Sequence, residues 1–267
     1  MTAARAGAAG LLLVLLSGCG TLAHERLWGA DATAAPGWRQ VASAARRAAA
    51  DPRVWAPLAG AALLQVDDWD ARASAWAREH APVFGSRARE RSDDLRSAST
   101  WAWAAAALAA ESGDAPGPWL RHKVRGGAVD ALAVVATGAT TRGLKSGVGR
   151  RRPDGSDRRS FPSGHASGSA VATALASRHL EFVAVRPAAR TAFDAGLDAL
   201  TLGTSWARVE AGVHYPADVL FGMALGRFFG TWLNDAFLDP RRPAQWTVLI
   251  YPRADLAPGL RARNKFR

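Results

Sequence analysis

The chain has 267 residues, 49% of them hydrophobic, with 34 Lys and Arg against 23 Asp and Glu for a formal net charge of +11, and a single cysteine. One cysteine excludes an intramolecular disulfide. The positive charge sits in short arginine groups, Arg46-Arg47, Arg150 to Arg152, Arg158-Arg159, Arg241-Arg242 and the tail from Arg261 to Arg267. These groups lack the interleaved aromatics of a single-strand binder and any DNA-reading motif, which excludes nucleic acid and leaves an anionic membrane surface or a phosphorylated substrate as the expected partner.

Residues 1–18 read as an export signal: Arg5 supplies positive charge, Leu11 to Leu16 is a short apolar run, and the small residues Ser17 and Gly18 follow. Leu16-Ser17-Gly18-Cys19 resembles a bacterial lipobox, which makes Cys19 the expected lipid-bearing first residue of the mature protein. Gly20 rather than Asp comes next, a pattern that resembles release to the outer membrane on the periplasmic side of the envelope. Residues 19–50 read as a tether and an approach helix over 40–50, and residues 51–238 as the helical catalytic domain.

Within that domain, 54–65 and 69–77 suit closely packed helices. Asp67-Asp68-Trp69-Asp70 between them reads as a helix start, with Asp at the N-cap and in the first turn, rather than as a metal site. The stretches 97–110, 127–144, 166–180, 191–210 and 216–236 are rich in Ala and Leu and free of interior proline, an all-α pattern. None of these helices is expected to cross a membrane, because each apolar stretch is cut short by a charge. The eleven Trp residues are expected mainly to fill gaps among alanines in the core. Residues 239–267 read as a basic tail with a short extended segment at 246–251.

Three charged clusters follow one another in the second half: Lys145-x6-Arg152-Pro153, then Pro162-Ser163-Gly164-His165, then Arg208-x5-His214-x3-Asp218. Three permanent cations can hold a phosphoryl group, two histidines can serve as nucleophile and proton donor, and a carboxylate can orient a histidine. Pro153 moves the chain out of helix after Lys145. Ser163 and Gly164 precede a helix whose free amides form an anion site. Pro216 starts the last helix with His214 just ahead of it and Asp218 in its first turn. Glu210 is expected to face away from Arg208, and His24, His80, His122 and His179 to be surface or structural residues.

Taken together, the clusters resemble the tripartite signature of the phosphatidic acid phosphatase type 2 superfamily, which includes class A acid phosphatases and vanadium haloperoxidases. The resemblance covers roughly residues 100–235. One position departs from it, since Ala207 stands where the family usually has Ser before the arginine, which puts a supporting hydroxyl in doubt. The resemblance implies a helical bundle of the acid phosphatase/vanadium haloperoxidase type and a phosphatase without metal or other cofactor. In it His214 is the nucleophile, His165 the proton donor and Asp218 the orienting carboxylate. It implies that Lys145, Arg152, Ser163, Gly164 and Arg208 bind the phosphate of a monoester or diphosphate, lipid esters included. Two other readings share these residues: a vanadate-dependent haloperoxidase, and a non-catalytic anion-binding envelope lipoprotein.

Overall fold

The computed structural model describes residues 26–238 and the two short strands β1 (Thr247–Leu249) and β2 (Arg261–Arg263), which pair antiparallel. The signal segment, Cys19 and most of the tail lie outside the described residues. Within them the chain is helical: α1 (Trp38–Ala50), α2 (Pro52–Leu63), α3 (Trp69–His80), α4 (Ala88–Ala109), α5 (Pro116–Val148), α6 (Gly164–His179), α7 (Pro187–Glu210) and α8 (Pro216–Phe237). The expected all-α bundle is present. Four of these helices have proline in the first turn, where a missing N–H costs nothing and the fixed φ is already helical. Among the described residues no helix is long and apolar enough to cross a membrane.

The bundle is built around α6. Its sequence, GHASGSAVATALASRH, is nearly all small residues, and most of it is buried. Small side chains let neighbours approach closely, and α8 answers with Gly222, Gly226 and Gly230 at four-residue spacing on one face. A Cβ on Gly226 would lie 2.2 Å from the Ser167 carbonyl oxygen, so only glycine fits there. Hydroxyl pairs tie three more helices to α6: Ser99–Ser169 at 2.7 Å from α4, Thr141–Ser167 at 3.0 Å from α5 and Thr173–Thr201 at 2.8 Å from α7. Each buried hydroxyl thereby avoids the cost of an unmade hydrogen bond.

Such close helices leave little room for indoles, and the expectation that tryptophans fill the core is overturned. Trp28 is buried, but Trp38, Trp55, Trp69, Trp76, Trp101 and Trp119 are exposed. Trp103 and Trp206 turn inward and use their N–H, on Asp130 (2.8 Å) and Glu210 (2.6 Å), whereas the buried Trp28 Nε1 has no partner among the described residues. His179 is structural, as expected: it is buried with Trp28 against its ring and Asp130 3.0 Å away.

Asp68 does occupy the N-cap of α3, but in a left-handed conformation (φ 55) and without a side-chain cap bond. Asp70, in the first turn, is buried and does something else, described below.

Candidate active site

Lys145 stands in the last turn of α5, which Gly149 closes in a left-handed conformation (φ 60) before the chain leaves the helix. Lys145 Nζ donates to the Arg159 carbonyl. Its Cε lies near Gly164, 3.9 Å from where a Cβ on that residue would be, so the lysine reaches the start of α6. Burial, and then the neighbouring Arg152 charge, lower the Lys145 pKa to about 8. Arg152 is held in the loop by Asp157, whose Oδ1 accepts from its Nε at 2.8 Å.

Ser163 is the N-cap of α6, its Oγ accepting from Ala166 N at 3.4 Å while its own N–H donates to the Asp218 carbonyl at 3.0 Å. The first-turn amides of Gly164 and His165 have no carbonyl within the helix to bond, which makes this end a ready anion site. Arg208, in the last turn of α7, is buried with its Nη1 donating to Ser92 Oγ at 3.1 Å, and its Nε has no partner among the described residues. Ala207, at the position that departs from the family pattern, is fully buried and offers no hydroxyl; the hydroxyl that Arg208 meets is that of Ser92 on α4.

The two histidines approach the same region. His165 Nε2 lies 2.7 Å from Asp93 Oδ1. Burial and the charges of Arg208 and Arg96 bring its pKa down to about 4, against the opposing pull of Asp93. His214 is buried just before α8, and burial lowers its pKa too, with Asp218 opposing and Lys145 and Arg208 adding to the fall. Its Nδ1 is 3.6 Å from Asp218 Oδ2, a charge contact longer than a hydrogen bond.

Asp218 is occupied elsewhere. Oδ2 accepts from Ser160 Oγ and, at 2.9 Å, from Tyr215 N, which closes a capping box at the start of α8, and Oδ1 accepts from Arg150 Nη1 at 2.9 Å. Burial alone would raise the Asp218 pKa, but these hydrogen bonds and Arg150 outweigh it and hold the carboxyl below its usual range. Arg150 also lies over the Tyr215 ring at 4.0 Å and donates to Asp70 Oδ2 at 2.7 Å, while Asp70 Oδ1 accepts from Ala217 N at 2.8 Å.

Lys145, Arg152, Ser163, Gly164, His165, Arg208, His214 and Asp218 are thus drawn together at one end of the bundle. Their charges act on one another, Arg152 on Lys145 and Arg208, and Arg208 on both histidines. Asp70, Ser92, Asp93, Arg96, Arg150 and Ser160 also belong to the site and were missed by sequence reasoning. Arg150 had a weak signal as part of an arginine group; the others sit in unremarkable local sequence. Glu210 turns to the loop before α4, accepting from Val83 N and Phe84 N, while Arg208 reaches Ser92. Among the described residues no three His, Cys, Asp or Glu side chains are grouped to hold a metal ion.

Comparison with known proteins agrees with this geometry. Residues 128–241 match the PAP2 superfamily model. Over 113 residues the chain is 35% identical to a lipid A 1-phosphatase of Rhizobium johnstonii, covering 37% of this chain and 42% of that protein, so it spans less than half the length of the curated relative it matches. Its fold is similar to the crystal structure of a transmembrane PAP2 type phosphatidylglycerolphosphate phosphatase from Bacillus subtilis, with a TM-score of 0.52 at 19% identity over 76% of this chain and 98% of that one. The segment 128–241 that matches this superfamily's model carries all three charged clusters.

Proposed function

We propose that this protein is a phosphatase of lipid phosphates that works through a phosphohistidine. The observation that carries the reading is the convergence of Lys145, Arg152 and Arg208 on the open amino end of α6, with two histidines of lowered pKa beside them. Phosphoryl transfer needs little covalent help and much positioning and charge stabilisation, which this arrangement supplies without invoking a metal.

In this mechanism His214, neutral near pH 7 because it is buried, attacks phosphorus with the nitrogen turned away from Asp218. The N–P bond forms as the ester P–O bond breaks, and His165 gives its proton to the departing alkoxide. Water then attacks the phosphohistidine, His165 takes the water proton, and the N–P bond breaks to release inorganic phosphate and free His214. Asp218 holds positive charge on the ring during both steps. His165 must regain a proton before each turnover, and a bound phosphate dianion beside it raises its affinity for one. Asp93, 2.7 Å from His165 Nε2, fixes the orientation of that ring.

The lipid substrate is supported by the relative's lipid phosphate and by the expected acyl anchor at Cys19, which holds the site at a membrane surface on the periplasmic side, in the outer membrane. The test is turnover of a phosphorylated lipid in mixed micelles by the wild type and by His214→Ala. The variant is expected to fold normally and to lose essentially all activity. Near-normal hydrolysis by it would refute the mechanism.

A further inference from the structure

An open apolar groove of about 470 Å³ runs beside the phosphate pocket, between α2, the end of α5 and the start of α8. Its lining includes Leu58, Ala62, Gln65, Val148 and Arg150 together with the Phe161 and Phe221 rings, whose centroids lie 4.7 Å apart. Its walls run directly into the site. Val148 lies three residues beyond Lys145 on the same face of α5, about one turn or ~5 Å away. Phe161 precedes Pro162-Ser163, Ala217 precedes Asp218, and Arg150 binds Asp218 itself. The rim stays apolar outward, with Leu58, Leu63, Val66 and Val148 exposed.

An apolar trough whose lining adjoins in sequence the residues of a phosphate-binding cluster matches one kind of ligand. We infer that this groove is the subsite for the acyl chain of the substrate, so that the phosphate sits under Lys145, Arg152 and Arg208 while the first methylenes of the tail lie over Val148 and against Leu58. The inference rests on the phosphatase reading and adds to it a measuring device for chain length. Arg150 is already paired with Asp70 and Asp218, so the anionic head belongs with Lys145, Arg152 and Arg208, and the groove is left to the apolar part of the ligand. A protein segment would leave its backbone amides without partners against such walls.

Short alkyl phosphates, from butyl to dodecyl and each below its micelle concentration, test this without a membrane. Burying a methylene is worth about 0.8 kcal/mol, or roughly fourfold, and about half of that in an open groove. For the wild type, kcat/KM should therefore rise about two- to fourfold per methylene and then level off when the groove is full. Ala62 is exposed on α2 and outside the catalytic set. Ala62→Trp fills the groove and should flatten this rise, so that dodecyl phosphate is turned over little faster than butyl phosphate. Leu58→Ser, which removes wall without adding bulk, should reduce the slope, and thermal unfolding of both variants checks that they are folded. A wild-type rate independent of chain length but still abolished by His214→Ala would overturn the groove and leave the phosphatase standing. Absence of any His214-dependent hydrolysis would remove the functional reading and the groove with it. If Ala62→Trp dissociated an oligomer and kept the wild-type slope, the groove would be a contact between protein chains and the inference would fall.

Discussion

Asp70 is the most informative residue to remove, because one carboxylate serves two elements. Its Oδ1 accepts the Ala217 N–H in the first turn of α8, and its Oδ2 takes one arm of Arg150, whose other arm holds Asp218. Asp70→Ala leaves an N-terminal helix donor without a partner, a loss of about 1 kcal/mol. It also breaks a charge-assisted bond to Arg150, worth about 1.5–3 kcal/mol when buried and less here because Arg150 is partly exposed. The expected total is about 2–4 kcal/mol of folding stability. Asp70→Asn keeps an acceptor for Ala217 N but not the charge, and should cost about half as much. Urea unfolding followed by circular dichroism measures both. Arg150→Met in a double-mutant cycle should show a coupling of at least about 1 kcal/mol with Asp70. Ser160 and Tyr215 N still hold Asp218, so turnover should fall only about tenfold. An Asp70→Ala protein within about 0.5 kcal/mol of wild type, the range of an ordinary surface change, would refute the argument.

Three further outcomes follow from the same structure. The Lys145 pKa of about 8 means the phosphate clamp is fully charged below that pH and loses one cation as pH rises through it, so KM for a phosphate ester should climb above pH 8. Lys145→Arg, which stays charged, should remove that limb of the profile, and an unchanged limb would assign it to another group. Gly226→Ala places a methyl against the Ser167 carbonyl and should destabilise the protein by about 1–3 kcal/mol in thermal or urea unfolding, whereas Gly196→Ala, with open space around it, should not. Cys19→Ser should leave an unlipidated protein that fractionates away from its normal place while the purified catalytic domain keeps its turnover; a wild-type protein without acyl chains would contradict the anchoring.

Sequence reading reached the helices and the residues that the fold draws together at one end of the bundle because both leave local marks. Prolines at helix starts, glycine after α5 and the spacing of His214 to Asp218 can each be read within a few residues. The tryptophans could not be placed this way, since their exposure depends on how closely the alanine- and glycine-lined helices approach, a property of pairs such as Gly226 and Ser167. Nor could Asp70 be read: in its local context it is one more acidic residue at a helix start, and only the fold carries it to Ala217 and Arg150. The hydroxyl of Ser92 on Arg208 is invisible for the same reason, being a contact across 116 residues.

The division of labour along the chain has a physical consequence. The groups that would touch the phosphoryl group all lie within 128–241, but several groups that hold them come from the helices before it: Asp70 from α3, Ser92 and Asp93 from α4. Without those helices Arg208 would keep its charge but lose the hydroxyl that aims it, and His165 would lose the carboxylate at its Nε2. Arg150 would then have Asp218 as its one remaining carboxylate, and an arginine that loses a competing partner binds the other more tightly, drawing Asp218 further from the 3.6 Å contact with His214. In the proposed mechanism the distance between Asp218 and His214 therefore depends in part on a balance, with Asp70 on one side of Arg150 and Asp218 on the other, so a residue 144 positions before His214 bears on its reactivity while Ser160 and Tyr215 N hold Asp218 from the other oxygen.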